Sequence, residues 1–499
     1  MKRDDTCTLS CAWGDMGNGY YKNPVLNADY SDPDVIRVGD DFYMVCSDFH
    51  FMGIPVLHSK DLVNWTIIGQ VYRSLDIDPC YGKMEGYGKG SWAPAIRYHN
   101  GLFYVYFCTP DEGLYMSTAE KPEGPWSPLH EVKRVHGWED PCPFWDDDGN
   151  AYLGHSTWGA GPIIIHRMSE DGKKLLDDGV IVYVGKIAEG TKIYKRNGYY
   201  YLVIPEGGVA TGWQTVLRSR SIYGPYERKV VLQQGSTNIN GPHQGALVEL
   251  ESGETWFMHF QSTVPLGRVC HLQPVEWVDD WPLMGINAEP VSIYRKPNVA
   301  AGQEITFPQT SDEFDGEQLG LQWQWNHNPV DENWSLTARP GYLRIKAMQA
   351  ESIMKARNTV TQKLMGYKGV ITTKLSIEYM EDGQKAGLAF LGGKEENWIG
   401  VEKRYGKCFI TAVTENVVYH GPEAESSDIW LKCCIDVHGA TNFFFSEDGN
   451  CFIPLGGNCK LGLGFWKGAR PALFTYNTLC NGGFADFDWF HYEHDGGIK

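Results

Sequence analysis

Five segments in the first part of the chain share one arrangement of apolar and polar positions. Each has an apolar run, a short turn containing Asp, Asn or Gly, and a second run that opens with an aromatic residue. Strand-forming residues on both sides of a tight turn predict a strand, a turn and a second strand. The five segments are residues 35–45, 95–107, 143–154, 192–204 and 247–260.

The aromatic residue after each turn marks a repeat. These residues recur at intervals of 48 to 61 positions, and further strand-like runs, such as residues 54–65 and 113–126, lie between them. A unit of about 50 residues with about four short strands is typical of a β-propeller blade. We therefore predict an all-β chain with a five-bladed β-propeller over residues 1–295. An open β-sandwich would not explain five similar units. The marker aromatics are Tyr43, Tyr104, Tyr152, Tyr201 and Trp256.

The repeat disappears in the last part of the chain. Residues 296–311 are rich in Pro, Gly and polar residues, which predicts a linker between domains. Beyond them, segments such as residues 341–347 and 386–392 alternate in the manner of sandwich strands. We predict a β-sandwich over residues 312–499.

Charge and hydropathy exclude several function classes. The chain has 44 Lys and Arg against 62 Asp and Glu, a formal charge of −18, which disfavours nucleic acids and anionic membranes as partners. No apolar run approaches the roughly 18–20 residues of a membrane span. A neutral substrate such as a sugar fits this surface better.

Cysteine usage and the N-terminal residues bear on the compartment. The 13 Cys include no CxxC spacing, and Cys7 and Cys11 are only a weak metal signal. Free thiols in that number favour a reducing compartment. The N-terminal residues contain no apolar stretch of a signal peptide, so we expect a cytoplasmic protein. A leader removed ahead of Met1 would leave the same sequence on a secreted or periplasmic protein.

The repeat also aligns residues with chemical potential. Counting back 11 to 13 positions from the turn aromatics reaches Asp32, Trp92, Asp140, Glu189 and His243. The first strand of each propeller blade lines the axis, so we expect these five side chains to converge at one end of the channel. Each also has a structural interpretation: Asp-Pro is common in turns, Trp fills cores, and His is often a hydrogen-bonded structural residue.

Three converging carboxylates suit hydrolysis of a glycosidic bond. Like charges push their pKa values apart, which leaves one group protonated as an acid and another ionised as a base. Trp92 can pack against the apolar face of a sugar ring. Arg268 can bind hydroxyls through its donor fork, or can form a surface ion pair instead.

Six motifs in the first 282 residues resemble glycoside hydrolase family 43, the β-xylosidases and α-L-arabinofuranosidases. Residues 312–334 look like the start of the accessory β-sandwich of many xylosidases in this family, a concanavalin-like jelly roll. The motifs are NPVLNADYSDPDVIRVGDDFYMV (23–45), HSKDLVNW (58–65), SWAPAIRY (91–98), EDPCPFWDDDGNAYL (139–153), AEGTKIYKRNGYYYLV (188–203) and GRVCHLQPVEWVDDWP (267–282).

The resemblance implies a role for each aligned carboxylate. Asp32 would be the general base, Asp140 would keep the acid protonated and oriented, and Glu189 would be the general acid of an inverting reaction. Such an acid and base lie roughly 6.5–9.5 Å apart. Glu206 is the rival acid, and Asp29 and Asp34 are the rival bases.

Further positions follow from the resemblance. Phe49 matches an aromatic residue that packs against the sugar. His243 matches a histidine that, in many members, faces a central calcium or other ion through waters, although GPHQG (241–245) differs from the commoner Gly-His-Gly/Ala-Asp pattern. The chemistry itself requires no cofactor, so a Ca²⁺ in the propeller channel would be structural.

The predicted function is an exo-acting glycosidase that releases xylose or arabinofuranose from xylo-oligosaccharides or arabinoxylan. The alternatives are an enzyme that is primarily an α-L-arabinofuranosidase, a non-catalytic carbohydrate-binding propeller, and a retaining relative of the five-bladed fructosidases. We expect the sandwich to form a wall of the pocket or a contact within a homo-oligomer.

Overall fold

The computed structural model describes residues 13–299 and 304–496, and its regular structure is antiparallel strand apart from three short 3₁₀ helices. These residues form two compact units. The first comprises Gly14–Thr263 and Gly267–Pro308; the second comprises Trp13, Val264–Leu266 and the described residues from Gln309 onward. Cys7, Cys11 and part of the predicted linker lie outside the described residues.

The first unit contains the first 22 strands and one 3₁₀ helix, Pro79–Gly82. The strands are β1 (Tyr20–Lys22), β2 (Ser31–Val38), β3 (Asp41–Ser47), β4 (Pro55–Ser59), β5 (Thr66–Gln70), β6 (Trp92–His99), β7 (Leu102–Thr109), β8 (Gly113–Ala119), β9 (His130–Arg134), β10 (Trp138–Trp145), β11 (Ala151–Thr157), β12 (Ile163–Met168), β13 (Val180–Tyr183), β14 (Lys192–Arg196), β15 (Tyr199–Glu206), β16 (Trp213–Ser219), β17 (Glu227–Leu232), β18 (Gly245–Glu249), β19 (Thr255–Thr263), β20 (Gly267–Val278), β21 (Trp281–Met284) and β22 (Ile293–Arg295).

Twenty of these strands form five four-stranded sheets, each built from strands consecutive in the chain: β2–β5, β6–β9, β10–β13, β14–β17 and β18–β21. The first strands of blades one to four adjoin one another in chain order. Blade five adjoins blade four through β21 and β17 and blade one through β18 and β2, which closes the ring. The predicted five-bladed β-propeller is confirmed. Every predicted strand–turn–strand segment forms the first two strands of one blade.

Local chemistry explains the hairpins and the packing between blades. Asn100-Gly101 and Asn197-Gly198 form two-residue turns with positive φ at both positions, which Asn-Gly adopts readily. Apolar residues of neighbouring blades then pack together, as Tyr106 of blade two does in the cluster that contains Leu153 of blade three. Burial of both blade faces in this way requires the closed ring.

The segment after blade five remains attached to the propeller unit. β22 pairs with β1, the Lys296 ammonium lies 2.6 Å from Asp15 and 2.7 Å from Asp61, and the Thr306 N–H donates to Asn64. These contacts explain why this unit continues past residue 295 to Pro308.

The second unit is a β-sandwich of two seven-stranded sheets, as predicted. One sheet has the order β23-β26-β35-β28-β29-β30-β31 and the other β24-β25-β36-β27-β32-β33-β34. Its two 3₁₀ helices are Asp331–Asn333 and Ile353–Lys355. The strands are β23 (Gln324–Trp325), β24 (Trp334–Ser335), β25 (Leu343–Lys346), β26 (Val360–Thr361), β27 (Lys368–Ser376), β28 (Gln384–Leu391), β29 (Asn397–Arg404), β30 (Lys407–Thr414), β31 (Val417–Glu423), β32 (Asp428–Asp436), β33 (Asn442–Ser446), β34 (Ile453–Pro454), β35 (Arg470–Asn477) and β36 (Phe484–His494).

The sandwich strands show the alternation expected for a sheet with one buried face. In β32, buried residues alternate with partly exposed ones along the whole strand, and β27 follows the same pattern. Trp398, Phe474 and Ala389 belong to one buried cluster. Within the described part of the chain, no helix is long and apolar enough to cross a membrane.

Candidate active site

A shared backbone irregularity places the candidate residues of the first three blades. Each innermost strand shifts register just after its start, and the residue at the shift has positive φ: 53° at Asp32, 41° at Ala93 and 57° at Asp140. Each of the three precedes a proline. A β-bulge with a left-handed residue re-aims the side chain and is common beside active sites.

This bulge corrects the predicted alignment in blade two. Ala93, not Trp92, is the equivalent of Asp32 and Asp140. Trp92 pairs with Cys108 just before the bulge, as Glu139 pairs with Ser156 in blade three. Counting from the turn aromatic misses this offset because seven residues separate the paired residues Phe144 and Tyr152 of blade three, whereas six separate Arg97 and Tyr104 of blade two.

Blades four and five have no such bulge, and their candidate residues precede the innermost strands. The Glu189 N–H donates to Pro205 O over 3.3 Å, and the His243 N–H donates to Phe260 O over 3.1 Å. Both residues therefore lie just before the first residue of the innermost strand, Lys192 in β14 and Gly245 in β18. The predicted equivalence of all five positions holds only approximately.

Asp32 is buried and held by two side-chain donors. Ser47 Oγ donates to its Oδ2 over 2.6 Å, and Arg268 Nη1 donates to its Oδ1 over 2.6 Å. Ser47 Oγ also accepts the Ala93 N–H, which ties blade one to blade two at this point. Arg268 thus forms an internal ion pair rather than the alternative surface pair, and its backbone N–H donates to Asp29.

Asp140 is also buried and accepts three hydrogen bonds. Ser156 Oγ and the Gly190 N–H each donate to Oδ2 over 2.8 Å, and Gln244 Nε2 donates to Oδ1 over 3.2 Å. Burial, and next the charge of Glu189, raises the pKa of Asp140 from 3.8 to about 6. Gln244, which sequence reasoning missed, reaches Asp140 from blade five.

Glu189 contacts His243, since Glu189 Oε1 lies 3.1 Å from His243 Nε2. Burial acts to raise the pKa of Glu189, but the contact with His243 and the charge of Arg268 outweigh burial and lower the pKa. The structure thus brings His243, Glu189, Asp140, Asp32 and Arg268 into one electrostatically connected group.

Glu139 is a carboxyl that sequence reasoning missed. One carboxylate oxygen each from Glu139, Asp140 and Glu189 lies within 4.8 Å of the other two. Burial, then the charges of Asp140 and Glu189, raises the pKa of Glu139 to about 9. This carboxyl trio therefore retains a proton at neutral pH, because its members cannot all ionise at such short range. The sequence offered one signal for Glu139. It precedes Asp140 as Trp92 precedes Ala93, so the two residues occupy equivalent positions in their blades.

Aromatic side chains form one side of the candidate site. The Phe49 and Trp92 ring centroids are 6.3 Å apart, and those of Trp92 and Trp158 are 6.1 Å apart, both in edge-to-face geometry. Trp92 Nε1 donates to Gly88 O, which fixes the indole. Trp158 is 49% exposed and extends this row to solvent. Such a surface suits the C–H face of a sugar.

The rival carboxylates have structural partners. Glu206 accepts from Tyr183 over 2.9 Å and from Thr215 over 2.5 Å, and it pairs with Arg228. Burial acts to raise the pKa of Glu206, but these hydrogen bonds outweigh it and lower the pKa. Asp34 accepts from the Ile96 N–H and Arg97, and Asp29 accepts from Ser31 and the Arg268 N–H.

Comparison with known proteins assigns the family. Residues 21–282 match the sequence profile of glycosyl hydrolases family 43, and residues 311–493 match that of the beta xylosidase C-terminal concanavalin A-like domain. The chain belongs to glycosyl hydrolase family 43. The predicted glycoside hydrolase class is confirmed, and this family 43 chain carries the accessory domain that the resemblance implied.

Individual relatives cover most of this family 43 chain. A protein of Xylanibacter ruminicola, provisionally named a β-xylosidase, is 54% identical over 93% of this chain and 88% of its own length. A non-reducing end α-L-arabinofuranosidase of Bacteroides ovatus is 34% identical over 65% of each chain. The crystal structure of a xylan β-1,4-xylosidase from Bacillus halodurans C-125 superposes with a TM-score of 0.84 at 26% identity, covering 95% of this chain and all of the other.

Proposed function

We propose that this chain is an exo-acting, inverting β-xylosidase that removes terminal xylose from xylo-oligosaccharides or arabinoxylan. The observation that carries the proposal is the pair of separately held carboxylates. Asp32 accepts from Ser47 and Arg268, whereas the carboxyl trio retains a proton. His243 and Arg268 lower the pKa of Glu189 itself, so the trio holds this proton on Glu139, next to Glu189. One side of the site thus offers a base and the other an acid.

The proposed mechanism uses these groups in one step. Asp32 takes a proton from a water molecule as that water attacks the anomeric carbon, and Glu189 donates a proton to the departing glycosidic oxygen. Asp140 and Glu139 keep a proton within reach of Glu189, since the three carboxyls lie within 4.8 Å of one another. Arg268 orients Asp32 through its guanidinium. Hydrolysis of this kind needs no cofactor.

The aromatic row supports a sugar substrate, and the relatives support its identity. Phe49, Trp92 and Trp158 present ring faces and edges beside the carboxylates, a surface suited to a pyranose ring. The Xylanibacter relative, at 54% identity, is provisionally named a β-xylosidase. The profile matched by residues 311–493 is also named for β-xylosidases.

Replacement of the acid tests the assignment. Glu189→Ala should lower kcat on xylobiose by about 100- to 10,000-fold, the usual contribution of a general acid. The loss should be much smaller on aryl xylosides with good leaving groups, because these need little protonation. Glu206→Gln is the matched control in the same blade and should retain most activity. Full activity of Glu189→Ala on xylobiose would refute the assignment.

A second candidate activity is release of α-L-arabinofuranose, which the 34% identical arabinofuranosidase of Bacteroides ovatus favours. The ratio of kcat/KM on nitrophenyl β-D-xylopyranoside and nitrophenyl α-L-arabinofuranoside decides between the two. Appearance of one sugar at a time from end-labelled xylo-oligosaccharides tests exo action. Tight binding of oligosaccharides without any product on long incubation would instead indicate a binding propeller.

A further inference from the structure

The outer strand of blade three is an exposed sheet edge. β13 (Val180–Tyr183) pairs with β12 on one side and is the last strand of its sheet. Within the described part of the chain, no strand pairs with its other side. The backbone groups along that side are therefore open to another strand. Val180 is 44% exposed and Ile181 61%, and Val184, just beyond the strand, is 72% exposed.

The outer strands of the other four blades differ from β13. Charged side chains on an edge strand are a common means of preventing association with another sheet. β9 and β17 each carry three such side chains, namely Glu131, Lys133 and Arg134 in β9, and Glu227, Arg228 and Lys229 in β17. β5 and β21 are uncharged, but none of their residues is exposed. Among these five described strands, β13 alone combines exposed apolar side chains with an absence of charge.

The sequence around β13 matches itself when one copy is turned end for end. Residues 178–186 read DGVIVYVGK, with Val182 at the centre. Equivalent residues lie on the two sides of this centre: Gly179 and Gly185, Val180 and Val184, Ile181 and Tyr183. The two ends, Asp178 and Lys186, are exposed and carry opposite charges. Two antiparallel copies centred on Val182 would therefore pair apolar residues with apolar residues and place an aspartate opposite a lysine at each end.

We propose that the chain forms a homodimer through antiparallel pairing of β13 with β13 of a second copy, centred on Val182. Such a contact has the twofold symmetry that is commonest among homodimers. It joins the two four-stranded sheets of blade three into one continuous sheet. A chain of formal charge −18 repels its own copies, and residues 178–186 suit such a contact because their one acidic and one basic residue cancel.

Sedimentation velocity of the full chain across micromolar concentrations tests the proposal. Wild-type protein should sediment with twice the mass of one chain. Ile181→Lys buries a charge in the paired edge and should raise the dissociation constant of the dimer by at least about 10-fold. Its Tm should stay near the wild-type value, because the Ile181 side chain is 61% exposed in the single chain. Ile293→Lys is the matched control on β22, where Ile293 is 51% exposed, and it should remain dimeric.

Charge reversal at the two ends tests the antiparallel arrangement itself. Asp178→Lys and Lys186→Asp each place like charges opposite one another at both ends, and each should raise the dissociation constant about 3- to 10-fold. The double variant Asp178→Lys/Lys186→Asp restores opposite charges and should recover the wild-type dissociation constant. A parallel arrangement would give no such recovery, because each residue would face its own copy.

Several outcomes would overturn the proposal. Wild-type protein that is monomeric at every concentration would do so, as would a dimer that survives Ile181→Lys. Loss of the dimer in Val417→Lys instead would place the contact on β31 of the sandwich, where Val417 is 53% exposed. If Ile181→Lys does not fold, failure of the double charge reversal to recover the dimer decides against the proposal. Because mass is the readout, these outcomes are independent of the proposed xylosidase activity.

Discussion

Glu139→Gln should make the protein more stable at neutral pH, because the native state holds Glu139 in its protonated form. The pKa of this carboxyl rises from 4.5 to about 9 through burial and the charges of Asp140 and Glu189. A raised pKa stabilises the fold fully below 4.5, and that contribution is lost as pH rises through about 9. At neutral pH the unfolded chain has already gained about 3 kcal/mol by ionising Glu139 while the folded chain has not.

Gln is neutral in the folded and the unfolded chain and is close in shape to protonated Glu. Glu139→Gln therefore removes the stability that the protein loses at neutral pH when Glu139 ionises in the unfolded chain. We expect an increase of about 3 kcal/mol in the free energy of unfolding at neutral pH, and little difference from wild type below pH 4.5. Denaturant unfolding of both proteins across this pH range measures it.

Glu206→Gln is the control of opposite sign, because the pKa of Glu206 is lowered on folding. That variant should lose stability at neutral pH, and the difference from wild type should disappear as the solution becomes acidic. A Glu139→Gln variant that is destabilised by the same amount at every pH would refute the view that the carboxyl trio stores a proton on Glu139.

Two further substitutions test the base side of the site. Asp32→Asn should lower kcat by at least about 1,000-fold on xylobiose and on activated aryl xylosides alike, since both need a deprotonated water; a loss confined to xylobiose would contradict the role of base. Arg268→Lys keeps the charge but not the donor fork that binds Asp32, and should lower kcat about 10- to 100-fold while Tm stays near the wild-type value; unchanged kinetics would show that the orientation of Asp32 does not depend on this contact.

The fold was largely predictable because the sequence signals for its strands and turns lie close together along the chain. Each hairpin has strand-forming flanks around a turn, and pairs such as Asn100-Gly101 specify the turn geometry within two residues. Repetition of this unit five times then requires a closed ring. The alternation along β27 and β32 similarly identifies the sandwich.

The site was predictable only in part, because its geometry depends on a bulge and on contacts across the ring. The alignment reached Asp32 and Asp140 but paired them with Trp92, because the interval from the bulge to the turn aromatic is 12 residues in blade three and 11 in blade two, where Ala93 is at the bulge. Two of the hydrogen-bond donors to Asp140 belong to blades four and five. Gly190 is 50 residues away from Asp140 in the chain, and Gln244 is 104 residues away. No local pattern predicts such contacts.

The anomeric form of the first sugar released tests the central claim most directly. Proton NMR during the first turnovers on xylobiose, before mutarotation, distinguishes the two anomers. The account predicts α-xylose as the initial product, because Asp32 directs water to the face opposite the leaving group while Glu189 protonates the departing oxygen. Initial release of β-xylose would mean retention through a covalent intermediate and would contradict the assignment of Asp32 as a base.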